Sequence, residues 1–518
     1  MWEHVTTHIQ AAEKFLDTPE IPWKSLITSL LWIVYLFETY VSWRQYRLYS
    51  LTTPPKALMA HVSHEDFVKS QRYGRDKARF AFVSDAVAHM VNLASVTYNL
   101  SAHVWVWSGY VLDWMKVAHS EKALSGANLV LGLMLQMPVG FILGAYRNFV
   151  IEERHGFNKQ TWSMYCMDHV KQCLLSVILG VPIMALIVSV IRWAGDAFVV
   201  YTVLLFTALI LFGTIIYPTL IQPLFNKLTP LKEGMLRDRV TALASSLKFP
   251  LKHLYVIDGS KRSSHSNAYF YGVIPGGSKH IVIFDTLIEQ STTAEIEAVL
   301  AHELGHWVYA HPSKLLIISL SHITVTLSLF TLFINNASLF RAFGFGQDRQ
   351  AIAYVTYLPV AVGFELFNLV LHPIDALVQF GMHAVTRQME YSADRYVFLA
   401  LCGTPVNANR VSLSLSLSLP YVRFAALLHR PGKTSAELEA QSLLHAQGEG
   451  VVPKTEPNAT VMDWISHMSN VPAHRMPSTV PGDALPEDDE PYPDLLKKAL
   501  IKLQIHKYVA HLFLPSAC

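Results

Sequence analysis

This chain of 518 residues contains seven long apolar stretches, which restrict the folds that it can adopt. A helix needs about 20 mostly apolar residues to cross the hydrocarbon core of a bilayer. Hydrophobic residues make up 52% of the chain, charged residues only 15%, and the mean hydropathy is +0.29, so a soluble fold is disfavoured. We predict a mainly α-helical, multi-pass membrane protein. The predicted spans lie near 25–43, 83–107, 128–146, 173–193, 198–218, 314–334 and 352–372.

Several polar residues fall inside these spans. They are Glu38, Asp85, His89, His103 and Glu365. A polar side chain that faces lipid is costly, so such groups usually face protein or a water-filled cavity. Hydrogen bonding between helices explains any one of them equally well, and both interpretations stay open.

Lysine and arginine residues in the loops predict the orientation, because positively charged loops stay in the cytosol. The loop after the first span is strongly basic, and the loop after the third span is basic as well. This places the N-terminus in the lumen and both the 219–313 loop and the C-terminus in the cytosol. The net charge of +2 gives no reason to expect nucleic acid as a partner. The four cysteines have no metal or disulfide spacing, and we expect reduced thiols.

Residues 302–306 read H-E-L-G-H, a match to the H-E-x-x-H pattern. His302 and His306 would lie on one helix face, about 6 Å apart, so both imidazoles can reach one zinc ion. Glu303 would lie over the same metal and take a proton from its bound water. The alternative is a chance match, expected in roughly one chain in twenty of this histidine-rich composition.

The 219–313 loop that carries this motif reads as a small α/β unit. Three short strands are predicted, at 254–257, 266–272 and 281–285. Thr292 precedes Glu295 by three residues, which predicts a capping box at the start of the H-E-x-x-H helix. A strand beside that helix could pair with an extended peptide through a free edge. Ordinary sheet packing is the alternative, since the sequence does not tell which strand is an edge.

A catalytic zinc needs a third protein ligand and an open position for water. The best candidate is Glu390, just past the seventh span and on the cytosolic side. Asp394 follows one turn later on the same face and could accept a hydrogen bond from a ligating histidine. An ordinary pair of carboxylates on a helix surface is the alternative.

Three further histidines are weaker candidates. We expect His311 to be rotated away from the site, and His265 and His280 to lie in loops. For each of them a structural or solvated role is favoured.

Four segments of the chain carry a further signal: FVIEERHGFNKQT at 149–161, SNAYFYG at 266–272, AHELGHW at 301–307 and EYSAD at 390–394. Together they resemble one family, the integral-membrane zinc CAAX prenyl proteases, and the likeness extends from about residue 25 to 400. The resemblance implies seven transmembrane helices around a water-filled chamber, with a cytosolic zinc metalloprotease domain that contains a small β-sheet. It also implies residence in the endoplasmic reticulum membrane and the inner nuclear membrane.

The resemblance also implies roles for single residues. The zinc ligands it implies, for one ion per chain, are His302, His306 and Glu390. The catalytic base it implies is Glu303. The residues it implies for substrate alignment are Asn267, Ala268 and Tyr269.

The substrates would be prenylated CAAX proteins or peptides, whose lipid partitions into the membrane. We expect the enzyme to remove the C-terminal tripeptide, and a second cleavage further upstream stays open. Two other hypotheses remain: a general quality-control zinc protease of the membrane, and a catalytically impaired membrane scaffold.

The chain is divided by these features into five segments. Helices one to five occupy 1–222, the metalloprotease loop domain 223–313, helices six and seven 314–380, and the third-ligand helix 381–401. Residues 402–518 depart from the family and are expected to form an atypical cytosolic tail with a low-complexity insertion.

Overall fold

Long helices form most of the fold in this computed structural model, which describes residues 2–55, 59, 62–272, 277–345 and 358–401. The predicted 402–518 tail lies outside the described residues. Fourteen α-helices are described: α1 Trp2–Leu16, α2 Trp23–Leu48, α3 His64–Thr97, α4 Leu100–Met115, α5 Glu121–Tyr146, α6 Trp162–Ala194, α7 Phe198–Ile216, α8 Gln222–Phe225, α9 Met235–Ser246, α10 Asp285–Gln290, α11 Thr293–Val308, α12 His311–Phe330, α13 Ala337–Ala342 and α14 Val360–Leu401. Wider π-helical turns continue α5 over Arg147–Glu152 and α7 over Tyr217–Ile221.

Six helical stretches of the described chain are long and apolar enough to cross a membrane. They are Trp23–Leu48, His64–Thr97, Glu121–Glu152, Trp162–Phe225, His311–Phe330 and Val360–Tyr396. The Trp162–Phe225 stretch contains both α6 and α7, which a short 3₁₀ turn separates. The prediction of a mainly helical membrane protein is confirmed, whereas the count of seven spans and the water-filled chamber stay predictions.

The second predicted span, 83–107, is wrong as a single helix. The chain leaves the helix after Thr97, and Asn99 adopts a left-handed conformation with φ 53° before α4 begins at Leu100. Asparagine tolerates this conformation better than most residues. Apolar residues continue on both sides of the turn, so hydropathy alone does not reveal it.

Helix α14 is longer than the predicted seventh span. It continues from Val360 through Pro373 to Leu401 without interruption, whereas the sequence suggested one helix ending near 372 and another beginning at 381. Residues 352–357 of the predicted span lie outside the described part of the chain. One helix therefore carries both the membrane segment and Glu390.

A four-stranded sheet lies between α8 and α10, in the order β1-β2-β4-β3. Its strands are β1 Leu228–Pro230, β2 Leu251–Ile257, β3 Ala268–Tyr271 and β4 Lys279–Phe284. β4 pairs in parallel with β2 and antiparallel with β3. The three predicted strands are present with shifted ends, and β1 was missed. Within this sheet β3 is an edge strand.

The buried apolar core lies among the helices, where aromatic side chains from α12 to α14 pack against α2 and α4. Trp23 donates its indole N–H to Ser338 at 2.9 Å and tethers α2 to α13. Two of the polar residues in the predicted spans have partners there. Ser101 donates to Glu365 at 2.5 Å, and the ring of His89 stacks on Tyr35. Hydrogen bonding between helices thus accounts for Glu365.

Candidate metal centre

Helix α11 presents two histidine rings side by side. The Nε2 atoms of His302 and His306 are 3.2 Å apart, as the one-turn spacing predicts. The helix begins with the predicted capping box, in which Thr292 and Glu295 each accept from the other's backbone N–H. His302 is buried, with 3% of its side chain exposed, and His306 is partly open to solvent.

Helix α14 brings Glu390 to the same point. Its Oε2 lies 3.3 Å from Nε2 of His302, and its Oε1 lies 3.6 Å from Nε2 of His306. The close approach of the two helices depends on Gly305, because a Cβ there would meet the backbone of Ala393 at 3.2 Å. The glycine within H-E-L-G-H thus lets a carboxylate from a distant part of the chain join the histidines.

The three side chains fit a zinc ion. A tetrahedral zinc with bonds of about 2.1 Å keeps its ligands roughly 3.4 Å apart, close to the separations seen here. Within the part of the chain that the structure describes, His302, His306 and Glu390 are the one group of histidine, cysteine or acidic residues whose ligand atoms all lie within 4.8 Å of one another. Glu390 remains half exposed, which leaves the outer side of the group accessible to water and substrate.

Asp394 supports this arrangement from behind. Its Oδ1 lies 2.9 Å from Nδ1 of His302, the ring nitrogen that points away from the other ligand atoms, and its side chain is almost fully buried. Burial alone would lower the pKa of His302, but Asp394 and Glu390 raise it to about 10. The carboxylates therefore favour a positive charge at this point, whether a proton or a metal ion supplies it.

The predicted substrate residues lie on and beside β3, which packs against α11. The carbonyl of Asn267 accepts from the backbone N–H of Phe284, and Ala268 is buried. The amide of Gln222, the first residue of α8, donates to the hydroxyl of Tyr269. β3 thus meets the condition for pairing with a peptide: it is an edge, and it lies next to the H-E-x-x-H helix.

The sequence comparisons agree with this architecture. Residues 45–227 match the family model described as CAAX prenyl protease N-terminal, five membrane helices, and residues 230–426 match Peptidase family M48. The chain is 40% identical to CAAX prenyl protease 1 homolog of Arabidopsis thaliana, over 73% of this chain and 86% of the relative. It is 39% identical to CAAX prenyl protease 1 of Saccharomyces cerevisiae, over 74% and 86% of the two chains. The protein belongs to the CAAX prenyl protease 1 family.

A solved structure extends the likeness to three dimensions. The crystal structure of S. mikatae Ste24p superposes with a TM-score of 0.69 at 36% identity, covering 74% of this chain and 91% of that chain. The resemblance inferred from the sequence motifs is thereby confirmed. The present chain is a multi-pass membrane metalloprotease.

The prediction for His311 is wrong. His311 is not rotated away: its Nδ1 lies 2.9 Å from Nδ1 of His306, and its Nε2 lies 3.2 Å from Oγ of Ser392. Helix α11 ends at Val308, and Ala310 adopts φ 52°, so the chain turns and His311 opens α12. The signal was Pro312, since proline is common in the first turn of a helix.

The other two weaker histidines contact residues other than His302, His306 and Glu390. His265 contacts Glu152 at 3.1 Å, and His280 stacks on Tyr271 in the neighbouring strand. His280 belongs to β4 rather than to a loop. Both have structural partners, in line with the roles that the sequence favoured.

Proposed function

We propose that this protein is a zinc endopeptidase that removes the C-terminal tripeptide from prenylated CAAX proteins at the cytosolic face of the membrane. The observation that carries the proposal is the convergence of His302, His306 and Glu390 on one point beside an edge strand. A second, upstream cleavage stays a prediction from the sequence.

The proposed roles follow from chemistry and position. His302, His306 and Glu390 would hold the ion, and Asp394 would fix the ring of His302 through Nδ1. A bound zinc ion would lower the pKa of a water molecule towards about 7 and polarise the scissile carbonyl. Glu303, which follows His302 on α11, would accept the proton of that water and then pass it to the leaving amine.

β3 would hold the substrate as an added strand. An extended peptide can form main-chain hydrogen bonds with the outer edge of Ala268–Tyr271, which lies against α11. The N–H of Ala268 on this edge donates to Oδ1 of Asn267 at 2.9 Å. Asn267 would mark the start of this edge. Main-chain pairing places no demand on side-chain identity, which suits an enzyme whose substrates share a lipid more than a sequence.

The transmembrane helices would bind the prenyl chain of the substrate. We propose that the helices enclose a water-filled chamber in which the lipid finds apolar surface beside a hydrated site. The basic loops support a lumenal N-terminus and a cytosolic metal site. Family membership supports the endoplasmic reticulum membrane and the inner nuclear membrane as the location, with membrane lipid and prenylated CAAX proteins as partners.

The decisive experiment is cleavage of a farnesylated C-terminal peptide by purified protein, with the same peptide lacking farnesyl alongside. Glu303→Gln should lower kcat by roughly 10²- to 10⁴-fold, the usual contribution of a general base. Glu297→Gln is a matched control, since Glu297 lies on the same helix but pairs with Arg239 and should retain activity. A chelator should abolish cleavage, and added zinc should restore it.

Each other outcome favours a different function. Equal cleavage of farnesylated and unprenylated unfolded proteins would favour a general quality-control protease. Bound zinc without any cleavage, or no bound zinc at all, would favour an impaired scaffold.

A further inference from the structure

The loop that precedes α6 makes a backbone connection to the protease domain that the proposed chemistry does not use. Asn158 and Ser263 form an antiparallel β-bridge. The N–H of Ser264 donates to the carbonyl of Phe157 at 3.0 Å, and the N–H of Lys159 donates to the carbonyl of Arg262 at 3.1 Å. A short two-stranded ribbon thus joins the membrane helices to the segment just before β3.

A side-chain cluster reinforces this ribbon. The hydroxyl of Tyr73 on α3 lies 2.8 and 3.0 Å from the two carboxylate oxygens of Glu152 and donates to them. Nε2 of His265 lies 3.1 Å from Oε2 of Glu152, and since a carboxylate only accepts, this nitrogen carries the hydrogen. The ring of His265 also stacks on Phe157, with centroids 4.3 Å apart. We call Tyr73, Glu152 and His265 the Glu152 clamp.

The clamp is well placed to fix this part of the domain. Glu152 is buried, with 9% of its surface exposed, and it occupies the last position of the π-helical turn that ends the α5 stretch. π-helical turns of this kind occur often at functional sites. Burying a carboxylate costs free energy unless its oxygens accept hydrogen bonds. The hydrogen bonds from Tyr73 and His265 therefore hold both donor side chains close to Glu152.

The far side of the same segment is bound to the sheet. The hydroxyl of Thr286 donates to the carbonyl of His265 at 3.0 Å, and the N–H of Phe284 donates to the carbonyl of Asn267 at 3.0 Å. Residues 263–267 are therefore held between the membrane helices on one side and β4 and the start of α10 on the other. The next residue, Ala268, begins the edge strand.

We propose that Tyr73, Glu152 and His265 are positioning residues that set the position of the β3 edge relative to the metal ligands. This inference rests on the proposed function, in which that edge pairs with the substrate backbone. The hydrogen bonds of the clamp join α3 and the end of the α5 stretch to the segment before β3, so it acts through β3. Loosening the clamp would misplace the paired peptide and leave the metal site intact.

The test combines a change in the clamp with a change in the substrate. Tyr73→Phe removes one hydroxyl from the clamp, and N-methylation removes the amide donor of one substrate residue at a time near the scissile bond. For the unaltered enzyme, at least one N-methylated position should lower kcat/KM roughly tenfold, the value of one hydrogen bond. Tyr73→Phe should lower kcat/KM for the plain peptide by a similar factor and reduce the N-methyl effect to roughly twofold or less. Bound zinc should be unchanged.

Control and rescue variants separate positioning from general loss of stability. Tyr46→Phe removes another tyrosine hydroxyl that reaches α3, where it accepts from Arg79 at 3.1 Å, and it should leave both kcat/KM and the N-methyl effect unchanged. His265→Gln keeps an N–H donor and should retain more activity than His265→Leu.

The outcomes are distinct. If no N-methylated position matters for the unaltered enzyme, the pairing and the inference are both overturned. If N-methylation costs the same in the unaltered enzyme and in Tyr73→Phe, the pairing stands and the inference fails. Loss of zinc in Tyr73→Phe would also overturn it, because the clamp would then act on the metal site.

Discussion

Oδ1 of Asp394 lies 2.9 Å from Nδ1 of His302, one helical turn beyond Glu390 on the same helix. A single turn of α14 therefore supplies both a candidate metal ligand and the carboxylate that contacts a second candidate ligand. The position of this turn relative to α11 controls the geometry of the whole site.

Asp394→Asn should weaken zinc binding by about 10- to 100-fold, because the His302 ring loses the acceptor that fixes its orientation. Competition with a chelator of known affinity measures the effect. Asp375→Asn is the matched control: Asp375 also lies on α14 and pairs with a histidine, His322 of α12, at 3.2 Å, but it is far along the helix from Glu390. Equal losses in the two variants would contradict the proposed role of Asp394.

Gly305→Ala should force α11 and α14 apart, since the added Cβ would lie 3.2 Å from the carbonyl oxygen of Ala393. Overpacking of this kind costs typically 1–3 kcal/mol, and Glu390 would move away from the histidines. Thermal unfolding and bound zinc should both decrease. Gly381→Ala, where a Cβ meets nothing within 4 Å, should leave both unchanged. A Gly305→Ala protein with full zinc occupancy would show that the helix contact is not what places Glu390.

His311→Ala should lower activity by roughly tenfold, because the ring of His306 loses its neighbour at Nδ1. Ser392→Ala should have a smaller effect, since the hydroxyl of Ser392 meets His311 at the ring nitrogen that faces away from His306 and also donates to the carbonyl of Met389 at 2.8 Å. His383→Ala, an exposed histidine on α14, serves as the control. The measurement is kcat/KM for the farnesylated peptide together with bound zinc. An unchanged kcat/KM would mean that the contact between His311 and His306 does not contribute to activity.

Asp258→Asn should lower stability in a manner that depends on pH. Burial raises the pKa of this carboxyl, but Lys261, at 2.6 Å, and the backbone N–H of Lys227, at 2.7 Å, lower it below its usual value. The carboxylate therefore stabilises the fold above its unfolded pKa of about 3.9, and this contribution is lost as pH falls through the folded pKa.

At neutral pH we expect Asp258→Asn to cost about 1 kcal/mol, measured as a lower Tm in detergent. The difference from the unaltered protein should shrink as the pH is lowered past 3.9. Glu233→Gln, which removes a highly exposed carboxylate, should change the Tm little at any pH. A difference that stays constant down to acidic pH would rule out the carboxylate's charge as the cause.

The candidate metal site was largely predictable, because its first two members depend on local geometry alone. Helical periodicity places His302 and His306 together whatever the rest of the fold does. Predicting Glu390 as the third ligand required the membrane topology and the family resemblance, since no local sequence rule connects this residue to α11. His311 was missed because α11 was assumed to continue, whereas the left-handed Ala310 ends it.

The fold was predictable where hydropathy changes and was not where it stays uniform. The turn at Asn99 lies between two apolar helices, so no composition shift marks it. Strand β1, Leu228–Pro230, is only three residues long and contains a proline, which a strand pattern does not favour. The clamp at Glu152 depends on contacts between distant segments, which no single stretch of sequence encodes.

The continuity of α14 has a consequence for the lipid surroundings. Phe367, in the apolar core, and Glu390 lie on the same helix, roughly 35 Å apart at the usual rise per residue. A bilayer that is too thin or too thick tilts such a helix to match its hydrophobic length. Tilting would displace Glu390 relative to His302 and His306 on α11. Turnover in reconstituted vesicles should therefore pass through a maximum as the acyl chains are lengthened, which makes membrane thickness a determinant of this enzyme's rate.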